Sequence, residues 1–310
     1  MKRVLASIAL LYAAFAVTFA QNMAEATEIA QSANESLTAG DYQSALDGFR
    51  KALAIADAAG ENGAVLASVC KGVIPKTLIA LAKQKIMNNL PDGALADISE
   101  AARLAAANGD SQTAENAKAL ISQAYMKKGM ALLNNKSFDA AAEAYGKALE
   151  ADPDNGLAAL RYGMALEGAD RTEAAIKAYS LAAENGQEKN AHAQLGKFYI
   201  KRALENLKSK NLAQAVEDAT ASYSYVANPQ ALQIAGQASH LLGKSADAIS
   251  FFEKYLEAAP AAANAGQIAY TVGALYQQSG SLEKAREYFS KAVSDAKYGA
   301  DAKKALDALK

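Results

Sequence analysis

The sequence predicts an all-α protein built from repeated helix-turn-helix segments, and three observations predict it. About a quarter of the 310 residues are Ala, the best helix former and a side chain small enough to let helix axes approach. Hydrophobic residues make up 51% and charged residues 21%, with only 5 Pro and no Trp, which suits packed helices and excludes a disordered chain. A small residue is followed twelve positions later by Ala and four later again by a ring or a large aliphatic side chain. This triplet recurs along the chain, and such self-similarity sets the architecture.

The elements follow in order. Residues 1–20 have the form of a secretory signal peptide: Lys2 and Arg3, an apolar run from Val4 to Val17, then Thr18-Phe19-Ala20 with small residues at the two sites that face the peptidase. Cleavage is expected before Gln21. An uncleaved anchor is the alternative, but the run falls short of the roughly 20 apolar residues that span a bilayer. No Cys lies near the cleavage region to accept a lipid. The mature protein is therefore expected in the periplasm or outside the cell, with no membrane span after the signal is removed.

Seven windows fill residues 21–310, read as a single domain with approximate repeats at 26–59, 75–108, 122–155, 156–188, 189–228, 229–262 and 266–297. The triplets are Ala33, Ala45 and Phe49; Ala82, Ala94 and Ile98; Gly129, Ala141 and Tyr145; Gly163, Ala175 and Tyr179; Ala203, Ala215 and Ala219; Gly236, Ala248 and Phe252; Gly273, Ala285 and Phe289. The windows are aligned on an abundant residue, so Ala at the second site carries little weight. Gly at the first site in four windows and a large side chain at the third in six carry more, because Gly is only 20 of 310 residues.

Turn signals fall between the helices, at Ala39-Gly40-Asp41-Tyr42, Asn134-Asn135-Lys136-Ser137 and Asp152-Pro153-Asp154-Asn155-Gly156. The second-site Ala residues are spaced by 49, 47, 34, 40, 33 and 37, so the N-terminal repeats have longer helices or extra turns. Pro75 lies in the longest interval, where it either kinks a long helix or opens a shorter one at its first turn. Residues 298–310 place Ala302, Leu306 and Leu309 at helical spacing, as a capping helix would.

The clearest window, with Tyr125, Gly129, Ala141, Tyr145, Ala148 and Pro153, resembles the tetratricopeptide repeat over its whole 34-residue length. The resemblance implies that each repeat is a pair of antiparallel helices, A and B, which stack into a right-handed superhelical solenoid. It implies that the A helices line a concave groove, with positions two, five, nine and twelve facing a ligand. In the third repeat these are Gln123, Met126, Met130 and Leu133, and in the fourth Leu157, Leu160, Met164 and Glu167. That stretch is apolar and soft, as suits a peptide. In the sixth and seventh they are Gln230, Gln233, Gln237 and His240, then Gln267, Tyr270, Ala274 and Gln277. Amides donate and accept, and can hold peptide backbone or sugar hydroxyls. Some relatives clamp a C-terminal carboxylate; Asn34 fits that clamp, but Ala30 stands where it needs Lys.

Little chemistry is legible. His192 and His240 are isolated from any second ligand at metal spacing, and no phosphate loop or nucleophile elbow is present. Cys70 is the sole cysteine and sits among Val65, Leu66, Val69 and Val73, which reads as a buried small hydrophobe. No catalytic, cofactor-binding or metal residue is nominated. The formal charge of -1, or -3 once Lys2 and Arg3 are removed, argues against nucleic acid. The leading expectation is a non-enzymatic scaffold or adaptor of the bacterial cell envelope that binds a protein or peptide segment. A glycan or peptidoglycan-associated binding protein is the runner-up, and an envelope enzyme comes third.

Overall fold

The computed structural model describes residues 21–309; the signal peptide expected at 1–20 lies outside the described residues. Helix follows helix throughout, and no strand occurs among the described residues. The chain divides into two compact bodies between Asn185 and Gly186. The first holds α1 (21–38), α2 (Tyr42–Ala58), α3 (Ala64–Met87), α4 (Pro91–Ala107), α5 (Ser111–Asn134), α6 (Phe138–Ala151), α7 (Gly156–Gly168) and α8 (Thr172–Ala182). The second holds α9 (Glu188–Lys208), α10 (Leu212–Tyr225), α11 (Pro229–Leu241), α12 (Ser245–Ala258), α13 (Ala265–Gln278), α14 (Leu282–Ala292) and α15 (Gly299–Ala308). The helices succeed one another as seven consecutive pairs, α1/α2 to α13/α14, and α15 packs on α14.

Within each pair the seam is set by side-chain size. The second-site residues Ala45, Ala94, Ala141, Ala175, Ala215, Ala248 and Ala285 are all 0% exposed. Four pairs place Gly opposite a ring, and a Cβ on that Gly would strike it: 2.9 Å from Tyr145 at Gly129, 2.6 Å from Tyr179 at Gly163, 2.5 Å from Phe252 at Gly236 and 2.8 Å from Phe289 at Gly273. The first repeat solves the same problem in reverse. Its A helix carries Ala33, and the glycine is on the B helix, where a Cβ at Gly48 would lie 2.7 Å from the Ala33 methyl.

Each turn from A to B has one backbone solution. Gly40, Asn89, Lys136, Asp170, Lys210, Gly243 and Gly280 all have φ between 57° and 81°, and each precedes its second-site Ala by five residues. The following N–H in every case bonds the carbonyl five residues back, as Asp41 does to Ser36 and Ser137 to Leu132. This Schellman closure satisfies an orphan carbonyl at the end of the A helix. Asp41 then caps α2 by accepting from the N–H of Ser44, and in two B-to-A connections Asp110 and Asn155 cap α5 and α7 by accepting from the N–H of Thr113 and Ala158. The Ser44 and Thr113 side chains, and after them these backbone bonds, hold the Asp41 and Asp110 carboxyls below the ordinary carboxylate range.

Two features depart from the regular plan. Pro75 lies inside α3, a single helix of 24 residues, so the longer of the two sequence readings is the correct one. Its missing N–H would leave the Lys71 carbonyl unpaired, and the Asn108 amide donates to that oxygen instead, at 2.6 Å. In composition and length, residues Gly60–Met87 would suit a membrane span. In the fold, α3 packs on α2 and α4, with Cys70, Ile74, Leu78 and Ala82 buried among them.

The fifth repeat, α9/α10, has Ala203 and Ala219 where others set a small residue against a large one. A polar network occupies that seam. Asp218, 1% exposed, accepts from Arg202 at 2.8 and 2.5 Å, from Asn206 at 2.9 Å and from Gln214 at 3.2 Å. The Arg202 guanidinium lies over Tyr199 and Phe198, and Tyr199 stacks on Tyr225. Full satisfaction of the carboxylate is what makes its burial tolerable.

Candidate functional site

The side chains named from the repeat pattern fall into two groups, one in each body. In the first, α5 presents Gln123 and Met130 to solvent, with Met126 and Leu133 half-buried. Met130 is 40% exposed, and Leu157 at the start of α7 is 44% exposed. Met164 is half-buried, whereas Leu160 is buried and contributes to the core and not to a surface. Arg161 was not legible as a site residue. Its guanidinium lies 3.7 Å from the Met164 sulfur and puts a cation beside the apolar strip; its position three residues before Met164 on one helix was the available signal.

Glu167, at position twelve of the fourth repeat, accepts from the Tyr179 hydroxyl at 2.7 Å. Burial and that carboxylate together push the phenol far above its ordinary range. Leu133 is the counterpart in the third repeat, and the buried Tyr145 hydroxyl has no hydrogen-bond partner among the described residues.

The outward face contrasts with the strip. On α6, Glu143 and Lys147 pair at 2.8 Å one turn apart, and the Lys147 ammonium lies 5.7 Å over the Tyr125 ring. Lys177 on α8 and Glu184 just beyond it are exposed.

In the second body, α11 carries Gln230 and His240 exposed and Gln233 and Gln237 half-buried, and α13 carries Gln267 and Gln277 exposed. None of these amide side chains is hydrogen-bonded within the described residues. Tyr270 is committed to packing, 5.5 Å from the Phe289 ring and 5.4 Å from that of Tyr298.

No group of three His, Cys, Asp or Glu able to hold a metal occurs among the described residues. Cys70 is fully buried, and desolvation with nearby Asp57 raises its thiol pKa, which disfavours the reactive thiolate. His192 lies against Tyr225 at 5.2 Å.

Family models of the tetratricopeptide repeat match residues 126–190, and again 229–261 and 266–294. Solved structures of similar fold include the MamA protein, at 21% identity over 59% of this chain and 96% of that one, with a TM-score of 0.36. YrrB, described as a TPR protein with an unusual peptide-binding site, matches at 21% identity over 58% of this chain and 91% of its own, TM-score 0.33. PilF of Pseudomonas aeruginosa matches at 17% over 62% of this chain and 90% of its own, TM-score 0.29. No curated protein matches the chain.

Proposed function

The chain is a tetratricopeptide repeat protein, and from that premise we propose that it holds a peptide or protein segment of the bacterial cell envelope on the A-helix face of its third and fourth repeats. The coarse function is that of a protein–protein interaction scaffold, since this repeat is generally a non-enzymatic interaction module. The finer reading rests on one observation. Met130 and Leu157 are large apolar side chains left in water, flanked by Met126 and Met164, while α6 on the other side of the same repeat carries the Glu143–Lys147 pair. Apolar surface of that kind is costly to solubility and marks an interface. Methionine adapts to varied partner side chains.

The signal-like residues Met1 to Ala20 support export to the periplasm or beyond, with residues 21–310 acting as one scaffold without a membrane span. Capture from envelope extract tests the reading. The wild-type chain should retain a partner that the Met130→Glu/Met164→Glu variant loses; equal recovery on both would remove the strip from the site. The unbonded amides of α11 and α13 favour a second reading, a glycan or peptidoglycan contact. Co-sedimentation with purified peptidoglycan tests it, and a chain left wholly in the supernatant would exclude it.

A further inference from the structure

We propose that Met164 is a reversible oxidation site, paired with Arg161, at which a peroxide turns the apolar strip of α5 and α7 polar. The consequence for a partner rests on the reading of that strip as a docking face; the modification itself does not.

Three of the six methionines of the chain, Met126, Met130 and Met164, belong to this one strip. Leu133 and Leu157 fill other positions of the same pattern, so apolar bulk alone does not call for sulfur. Met130 is 40% exposed, and Met126 and Met164 are half-buried. All three thioethers are therefore open to a small oxidant.

Arg161 singles out Met164. The two lie three residues apart on α7, and the one hydrogen bond of the guanidinium among the described residues runs to the Met164 Sδ, at 3.7 Å. Elsewhere in the chain Arg50, Arg171 and Arg202 each hold a carboxylate, of Glu100, Asp139 and Asp218. Arg161 has no such partner among the described residues. A guanidinium offers five N–H donors, and a thioether is a weak acceptor for any of them. The donor is in place and a strong acceptor is missing.

Oxidation supplies that acceptor. The thioether sulfur attacks one oxygen of the peroxide, the S–O bond forms as the O–O bond breaks, and with hydrogen peroxide the other oxygen leaves as water. Sulfur gives up two electrons and the peroxide takes them. The sulfoxide oxygen carries negative charge and accepts from Arg161 as a charge-assisted bond. Reduction by methionine sulfoxide reductase with a thiol reverses the step, releasing the oxygen as water while two thiols become a disulfide. In the oxidised state a polar group stands in the strip, and the apolar surface that a partner would cover is lost.

The test compares the full chain with Arg161→Gln, each oxidised by hydrogen peroxide, with the sulfoxide at every methionine quantified by peptide mass mapping. Both forms of both chains are unfolded in urea; Met23 and Met87 oxidise alike in the two backgrounds and cancel. Oxidation should lower the midpoint of Arg161→Gln about twice as far as that of the wild type, since only the wild type gains the guanidinium bond. On a phenyl column, peroxide should shorten wild-type retention and the reductases should restore it. Met126→Leu/Met130→Leu/Met164→Leu, apolar but without sulfur in the strip, should respond far less. Equal midpoint losses with and without Arg161 would overturn the pairing and leave the guanidinium to an anionic group of a partner. A Met164 still reduced when Met87, 70% exposed, is fully oxidised would overturn the site. So would a sulfoxide that the reductases leave in place, or a leucine variant that responds as the wild type does. No partner enters these measurements, so their failure leaves the docking face standing, and that face fails separately if Met130→Glu/Met164→Glu retains its partner.

Discussion

Replacing Asn108 with Ala should destabilise the first body by about 1 kcal/mol, and most of that cost should disappear when Pro75 is also replaced by Ala. The Lys71 carbonyl is the acceptor that residue 75 would serve in an ordinary helix, and in its place the Asn108 amide donates at 2.6 Å. Because the bond is solvent-accessible, its loss returns the carbonyl to water and costs only the net worth of a hydrogen bond, roughly 0.5 to 1.5 kcal/mol. An Ala at position 75 restores the backbone N–H, so the Asn108 amide becomes redundant. Pro75 is itself buried, and its replacement has a packing effect of its own; the double-mutant cycle removes that term and leaves the coupling. The assay is native-state hydrogen exchange along a urea series, read by mass spectrometry on peptides from α3 and α4, which isolates this region even where the two bodies unfold separately. A coupling energy of at least about 0.5 kcal/mol is expected. Equal costs of Asn108→Ala in both backgrounds would show that the amide does not substitute for the proline N–H.

Lys136→Gly and Lys210→Gly should each stabilise by about 0.5 to 1 kcal/mol in urea unfolding, since both lysines occupy left-handed conformations that glycine adopts without strain; a loss at either site would contradict the turn geometry. Tyr145→Phe should be neutral or slightly stabilising, because its hydroxyl is buried without a partner among the described residues, whereas Tyr179→Phe should cost about 1 kcal/mol through the lost bond to Glu167. Equal effects by urea unfolding would refute the contrast. Ala175→Leu should cost about 1 to 3 kcal/mol by overpacking a fully buried seam, and Ala262→Leu, in a turn, far less; identical melting temperatures would mean the register is misplaced.

Much of the fold was legible because repeat geometry is enforced by size. Gly129, Gly163, Gly236 and Gly273 have to be small since a ring stands within 3 Å of where a Cβ would go, and that pairing of Gly with a ring was visible in the spacing. The turn rule was not visible. Only Gly40, Gly243 and Gly280 advertise a left-handed residue, while Asn89, Lys136, Asp170 and Lys210 adopt the same conformation because the Schellman bonds compensate. The polar seam of the fifth repeat was not legible: its Ala219 signals a missing ring, but nothing in the spacing shows that Arg202 and Asp218 meet sixteen residues apart. At the site, one-dimensional register placed Leu160 beside Met130 and Leu157, yet it turns into the core. The helix in which Leu160 sits, α7, is buried over more than one face, and a position rule written for an isolated repeat does not register that.

The central claim is that the A-helix face of the third and fourth repeats holds the partner, and titration of an envelope partner against two double variants tests it most directly. Met130→Glu/Met164→Glu places charge in the apolar strip and should weaken binding by at least about 2 kcal/mol if these methionines are its anchor. Lys147→Glu/Lys177→Glu alters the charged outward sites and should change binding by well under about 1 kcal/mol. Both variants should keep wild-type helicity by circular dichroism. A Met130→Glu/Met164→Glu variant that folds and binds normally, beside a Lys147→Glu/Lys177→Glu variant that does not bind, would place the partner on the B helices and contradict the account.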